Sequence, residues 1–449
     1  MNRLTAVRLG VLYLPVCAAM LAGYLRPRRT RIFPALLLSL LWVLCSLLIL
    51  QRLNLYFDWW SFAATRGSLL GMPAEIYLGW AIWWGAVPQL VFRSLSIPGV
   101  AVLMAALDLG LMPFCAPLLQ LHRLNWLGGE LVAVLLVLLP ALCIARWTLE
   151  GTHLPLRATL QVAISGMLFL LLVPEIVFAL RHAAGQSSVW QPLLDLGRIP
   201  RQIALQGIFL IAVPGISAVF EFVERGHGTP LPYDPPSRLV ISGIYRYCAN
   251  PMQLSCSIVM LLWALLLRNP WLVLAAVMST VYSAGIAHWD EHRDLAARFG
   301  DAWETYHKAV PSWQVRWHPF HQGTPARLYV AGTCGPCSEV RRWIENRRPV
   351  ALDLIDAETL PQGSILRLRY VPADGSPASE GLVAFARTLE HLHLGWAYCG
   401  ITLRLPGFRE AFQGLLDVSG FHPRTIPSRV PGEAPVGCEN RRTHPHPNR

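Results

Sequence analysis

Between Gly243 and Pro311 the chain sets charged and aromatic residues at the ends of two apolar runs. Tyr245, Arg246 and Tyr247 stand just ahead of a run that opens at Asn250-Pro251. Asp290, Glu291 and His292 close the next run, and Tyr306 follows on an amphipathic stretch. An arginine can hold a carboxylate, a carboxylate can hold an amine or a ribose hydroxyl, and aromatic rings can cover a flat heterocycle. The turn Arg268-Asn269-Pro270 between the runs is short, so they should run antiparallel and bring both sets to one membrane face. Such a face suits the meeting of a polar cofactor with a lipid-soluble substrate. A second chemistry is written at Cys334-Gly335-Pro336-Cys337. With a strand before it and a helix after it, the first thiol sits at a helix N-terminus, which favours thiolate. Cys334 is then the attacking sulfur and Cys337 the resolving one. No further Cys pair or His lies nearby, so a zinc site is not expected.

The elements that must position these groups are mostly membrane spans. The chain has 449 residues, 54% of them hydrophobic and 14% charged, against about a quarter charged in soluble domains. Apolar windows long enough for ~30 Å of hydrocarbon predict nine spans, near 9–25, 32–51, 76–92, 96–119, 128–145, 158–180, 202–220, 250–267 and 269–288. Asp108 and Glu175 fall inside two of them, and carboxylates at membrane depth are costly and mark function or local structure. Glu221 and Glu224 end the seventh span and are expected to face the Tyr245 site. The net charge of +11 comes almost wholly from Arg scattered at span ends, with Lys308 the single Lys. That pattern attracts anionic headgroups and gives no basic stripe for nucleic acid. Four Arg in 26–31 place that loop in the cytoplasm, and nine spans then put the Gly243 turn, the Asp290 helix and the C-terminal region there too. The chain reads as an integral protein of a bacterial inner (plasma) membrane, its first span uncleaved.

Past Gly323 the character changes, with 27 charged residues in 327–449 against 38 in 1–326. Ala326–Ala331, Val350–Ile355 and Ile365–Val371 read as strands, and Ser338–Asn346 and Gly381–Leu392 as helices. That order fits a thioredoxin-like α/β module over about 326–428. The tail after Arg429, rich in Pro, Arg, His and Asn, is expected to be disordered. The expected fold is therefore an α-helical polytopic membrane protein of about nine spans with a C-terminal thioredoxin-like α/β domain. Its parts are 1–200, whose role is open, a membrane core at 201–320, the module and the tail.

Two family resemblances rest on these residues. Gly243-x-Tyr245-Arg246-Tyr247, Pro251, Met252, Glu291, Phe299-Gly300, Tyr306 and Val310-Pro311 resemble the core of the isoprenylcysteine carboxyl methyltransferase and phospholipid methyltransferase superfamily, over about 204–320. The chain departs where the family has an Arg-His pair, here Ala249-Asn250, and at Gln253 and Asp290. Asn250 can hydrogen-bond but cannot neutralise a carboxylate, so Arg246 or His292 would have to compensate. The resemblance implies S-adenosylmethionine as cofactor, held by Tyr245, Arg246, Tyr247, Asn250, Pro251, Glu291, His292 and Tyr306. It implies methyl transfer to a lipophilic small molecule or lipid-modified substrate, with membrane lipid around it. The related sterol-reductase branch, which uses NADPH, and a non-catalytic membrane protein carrying a redox module are the alternatives. The Cys334–Cys337 motif, with Gly381-Leu-Val-Ala-Phe-Ala-Arg-Thr-Leu389, Leu394-Gly-Trp396, Leu405-Pro-Gly407 and Gly420-Phe-His-Pro-Arg424, resembles the DCC family of thiol-disulfide oxidoreductase-like proteins over about 327–425. That implies a redox-active pair and a thiol or disulfide protein partner.

Overall fold

The computed structural model describes residues 2–25, 31–65, 67–181, 187–230, 234–332, 335–360, 366–421 and 423. Cys334 and the tail beyond Arg429 lie outside the described residues, and so do the expectations that fall on them. Among the described residues seven helices are long and apolar enough to cross a membrane: Arg3–Leu25, Ile32–Phe57, Ile97–Cys115, Asn125–Glu150, Leu154–Arg181, Arg198–Gly226 and Pro270–Phe299. The chain is an integral membrane protein.

The count of nine is corrected at two places. Pro251–Leu266 has 16 residues, about 24 Å at 1.5 Å per residue, short of the hydrocarbon thickness. Residues 74–91 are helical throughout, with a π segment at Ala81–Ala86, but are not among the seven helices long and apolar enough to cross. The last long helix outruns its expected end at 288 and carries the Asp290-Glu291-His292 segment as its own continuation to Phe299.

The described helices fall into two compact units. The first holds residues 1–202, 228–235 and 260–276. Three of its helices contain a π segment, Ala81–Ala86, Val134–Leu138 and Leu168–Leu172, and each ends two residues before a proline: Pro88, Pro140 and Pro174. Proline lacks an N–H and clashes with the carbonyl four residues earlier, so the helix widens there and that carbonyl needs another donor in a membrane. Two of these carbonyls find one. Leu136 O accepts the Trp42 indole N–H at 3.2 Å and Leu170 O the Trp263 indole N–H at 3.0 Å. The membrane-depth carboxylates are also spoken for: Asp108 accepts from Trp83 and Trp84 at 2.8 and 2.7 Å, and Glu175 accepts from Trp190 at 2.6 Å and pairs with Arg52.

The second unit holds residues 203–227, 236–259 and 277–449. Its helices cross closely where Gly215 meets Ser255; a Cβ on Gly215 would stand 2.8 Å from the Ser255 Cβ. Four strands follow, β1 (Ala326–Val330), β2 (Leu352–Asp356), β3 (Arg369–Val371) and β4 (Ser379–Glu380), in the order β2-β1-β3-β4. β1 and β2 are parallel, joined by the crossover helix Gly335–Glu345, whereas β3 is antiparallel to both β1 and β4. The expected helix over 381–392 stops at Leu389, and two further helices, Leu394–Leu403 and Phe408–Leu416, were not anticipated. The first of these is apolar because it is a docking element. Ala397, Ile401 and the adjacent Leu405 bury against Val213, Ala218, Ile244, Tyr245 and Tyr247.

Candidate functional site at the polar ends of the last two apolar helices

His288 and His292 lie one turn apart on Pro270–Phe299, so they share a face. Gly300, at φ +50°, turns the chain into Asp301–Ala309, where Trp303 and His307 are again one turn apart. The three imidazoles gather, with ring centroids 4.8 Å apart for His292 and His307, 5.7 Å for His288 and His307, and 6.4 Å for His288 and His292. Trp303 stacks on His307 at 5.0 Å and donates its indole N–H to His292 Nδ1 at 3.1 Å. That leaves the His292 proton on Nε2, 3.9 Å from Glu304.

Asn250 and Gln253, at the start of Pro251–Leu266, face this cluster. Asn250 Nδ2 is 3.4 Å from His288 Nδ1, and Gln253 Nε2 donates to Glu291 at 3.4 Å. Gln253 Oε1 and His307 Nδ1 are buried with no hydrogen-bond partner among the described residues. Burial, helped by His292 and His288 and opposed by Glu304, lowers the His307 pKa below the ordinary imidazole value. His307 is therefore a neutral base at pH 7. Burial raises the Tyr245 phenol well above its usual value, with Tyr306 and Glu291 adding to the effect. Tyr306 is buried and donates to the Tyr245 carbonyl at 2.8 Å, which fixes the 243–246 turn to the Asp301–Ala309 helix.

Residues 207–302 match the phospholipid methyltransferase family model. The match takes in Tyr245 to Gln253, His288, Glu291 and His292, and stops before Trp303, Tyr306 and His307. Comparison with curated proteins and with solved structures returns no match.

The structure thus gathers Tyr245, Asn250, Glu291, His292 and Tyr306, with Pro251 starting the helix that carries Gln253. It turns Arg246 and Tyr247 toward the C-terminal residues instead. The Tyr247 hydroxyl is buried and donates to the Glu390 carbonyl at 3.0 Å. Arg246 Nη1 stands 3.2 Å from His391 Nδ1. Position 249 has no room for the family's arginine, because Ala249 packs with Trp303, Tyr306, Val310 and Phe320. His288 and His307 were missed in the sequence, although His288-x-x-x-His292 has helical i, i+4 spacing. The fold-back at Gly300 that brings His307 to them has no such signature.

Glu221 and Glu224 also have a different role from the one expected. Glu221 is 0% exposed and accepts from Arg387 Nη1 at 2.6 and 2.7 Å, from Arg404 Nη1 at 3.0 Å and from the Ser242 hydroxyl at 2.5 Å. Glu224 takes Arg387 Nη2 at 3.0 Å, and Arg404 Nη2 lies 2.6 Å from Glu390. Burial alone would lower the Arg387 pKa, but Glu221 and Glu390 raise it. Gly243, at φ +60°, lies against this carboxylate; a Cβ there would be 3.0 Å from Glu221 Cδ. The glycine of the Gly-x-Tyr-Arg-Tyr segment is needed for this approach.

Of the Cys pair, only Cys337 is described. It is half-buried in the crossover helix, against Ala331, Ala357, Tyr329 and Leu360.

Proposed function

We propose that the chain is an integral membrane methyltransferase that uses S-adenosylmethionine to methylate a nucleophilic oxygen or nitrogen on a lipophilic acceptor. The observation that carries this reading is the Asn250, His288, Glu291, His292 and His307 cluster, built on apolar helices and lying largely within the phospholipid methyltransferase match. The residues fit the cofactor's polar groups. Glu291 and the orphaned Gln253 Oε1 suit an ammonium, and Asn250 Nδ2 with a His288 N–H suits a carboxylate. When bound, the cofactor supplies an electrophilic methyl group on a good leaving group. The protein's part is positioning, exclusion of water and acceptance of a proton. His307 is the proton acceptor for the O–H or N–H of the substrate, and Trp303 holds the ring by stacking. Because neutral donors replace a guanidinium at the carboxylate, the cofactor should bind weakly.

Equilibrium binding of S-adenosylmethionine to the full chain in neutral detergent tests this. Glu291→Ala should weaken binding at least about tenfold, the worth of one charge-assisted hydrogen bond. Arg246→Ala should leave it unchanged. Saturable NADPH binding with no binding of the methyl donor would overturn the proposal.

The C-terminal residues read best as a thioredoxin-like module with a Cys334–Cys337 redox pair. Support comes from the β2-β1-β3-β4 order with β3 antiparallel, and from a crossover helix that starts at Gly335. In this reading Cys334 attacks a disulfide and Cys337 resolves the mixed disulfide. Cys337→Ser should then trap a mixed disulfide through Cys334, seen as a shift on a non-reducing gel that Cys334→Ser abolishes. A trap-free Cys337→Ser variant would rule out exchange chemistry and leave a packing role.

A further inference from the structure

A second polar site lies in the same compact unit, and no residue of the histidine cluster lines it. It is a cleft of about 200 Å3 walled by Arg225, Arg246, Arg387, Tyr370, Asp374 and Glu390, with residues 320–324 along one side. Arg225 and Arg387 are 8% and 3% exposed, and the Nε atoms of Arg225, Arg246 and Arg387 are all buried without a hydrogen-bond partner.

The state of His391 decides what Arg246 can do. His391 Nδ1 lies 2.8 Å from the Val350 carbonyl, which can only accept, so Nδ1 carries the proton. Nε2 then accepts from the Tyr370 hydroxyl at 2.9 Å. Burial, with Arg246 next, pushes the His391 pKa well below the ordinary value, in keeping with a neutral ring. A protonated Nδ1 cannot accept from Arg246. Among the described residues the Arg246 side chain therefore has no hydrogen-bonded acceptor, and it lines the cleft, whose wall also carries the carboxylates of Asp374 and Glu390.

The charges around it do not balance in the interior. Arg225 and Arg387 are buried and the Arg404 side chain is 10% exposed, with Arg246 partly buried beside them. Against them stand two buried carboxylates, Glu221 and Glu390, whereas Glu224 and Asp374 are about half exposed, where solvent screens them. A buried excess of guanidinium favours an oxyanion ligand, for which arginine is the matched fork. The volume is below that of a drug-sized site, so the ligand group is small.

We propose that this cleft binds a phosphate group, either free or on a lipid headgroup, with Arg246 as its principal cation and Arg225 beside it. This does not rest on the methyltransferase reading. The test is titration of the full chain in neutral detergent with inorganic phosphate and, separately, with short-chain phosphatidic acid. Binding of inorganic phosphate identifies a soluble ligand, and binding of phosphatidic acid alone identifies a headgroup. In either case Arg246→Gln should weaken the affinity at least about tenfold, and Glu291→Ala should not change it. Asp374→Asn, on a half-exposed side chain, frees Arg225 from its carboxylate at 3.3 Å and should tighten binding severalfold, which keeps the proposal testable if Arg246→Gln does not fold. Absence of binding by both probes overturns it. Equal affinity in wild type and both variants overturns it too, as does competition between phosphate and S-adenosylmethionine, which would make the two sites one.

Discussion

Glu221→Ala should destabilise the chain by about 3–5 kcal/mol, the usual cost of removing one partner from a buried ion network. Two guanidiniums depend on this one carboxylate, Arg387 at 2.6 and 2.7 Å and Arg404 at 3.0 Å, and Arg225 Nε lies 3.7 Å away. Glu390 remains for Arg387 and Arg404, but it is buried as well and cannot serve all three. The loss comes mainly from stranded cations and not from a lost attraction. A variant that also replaces Arg387 and Arg404 with Met, and Glu390 with Gln so that no buried carboxylate is stranded in turn, should therefore recover much of the stability. Chemical unfolding in detergent, followed by Trp fluorescence, measures both variants, and limited proteolysis around residues 311–325 reports whether the C-terminal residues loosen. A change below about 1 kcal/mol in Glu221→Ala, the level of an exposed pair, would show that the network does not hold the unit together.

His307→Ala should lower methyl transfer by about 100-fold or more, the range for loss of a positioned general base, with little change in S-adenosylmethionine affinity. The group is suited to the task because its pKa is held below the ordinary imidazole value and its Nδ1 is buried without a partner. The sign of the pH dependence follows. A base works only when deprotonated, so activity should be full above the His307 pKa and fall as pH drops through it, at a midpoint below the ordinary imidazole value. His292, His288 and Glu304 are the titratable groups that face it. His307→Gln should remove this acid limb while keeping the ring's volume roughly filled. A variant that keeps both rate and acid limb would remove His307 from the chemistry.

Much of this architecture was encoded locally. Hydropathy over windows of twenty residues finds the spans, since lipid contact acts on each segment independently. Pro88, Pro140 and Pro174 each follow a π segment and free a carbonyl through a missing N–H that is a property of one residue, although Pro15 and Pro214 sit in helices that stay α. The strand–helix–strand alternation from Ala326 to Asp356 followed from the same short-range patterning. Even the helical spacing of His288 and His292 was there to be read.

What escaped such reading depends on partners far apart in the chain. Glu221 meets Arg387 across 166 residues and Arg404 across 183, and a charged residue at a span end looks alike whether it meets water or a buried guanidinium. Arg246 has the same sequence neighbours in either cleft; the packing of Tyr247 against Glu390 and of Leu394–Leu403 against Val213 and Ala218 turns it away from the histidines. The apolar composition of Leu394–Leu403 says that it must be buried, not against what. Those choices belong to three-dimensional packing, in which a side chain's energy is set by whatever the fold brings within a few ångströms of it.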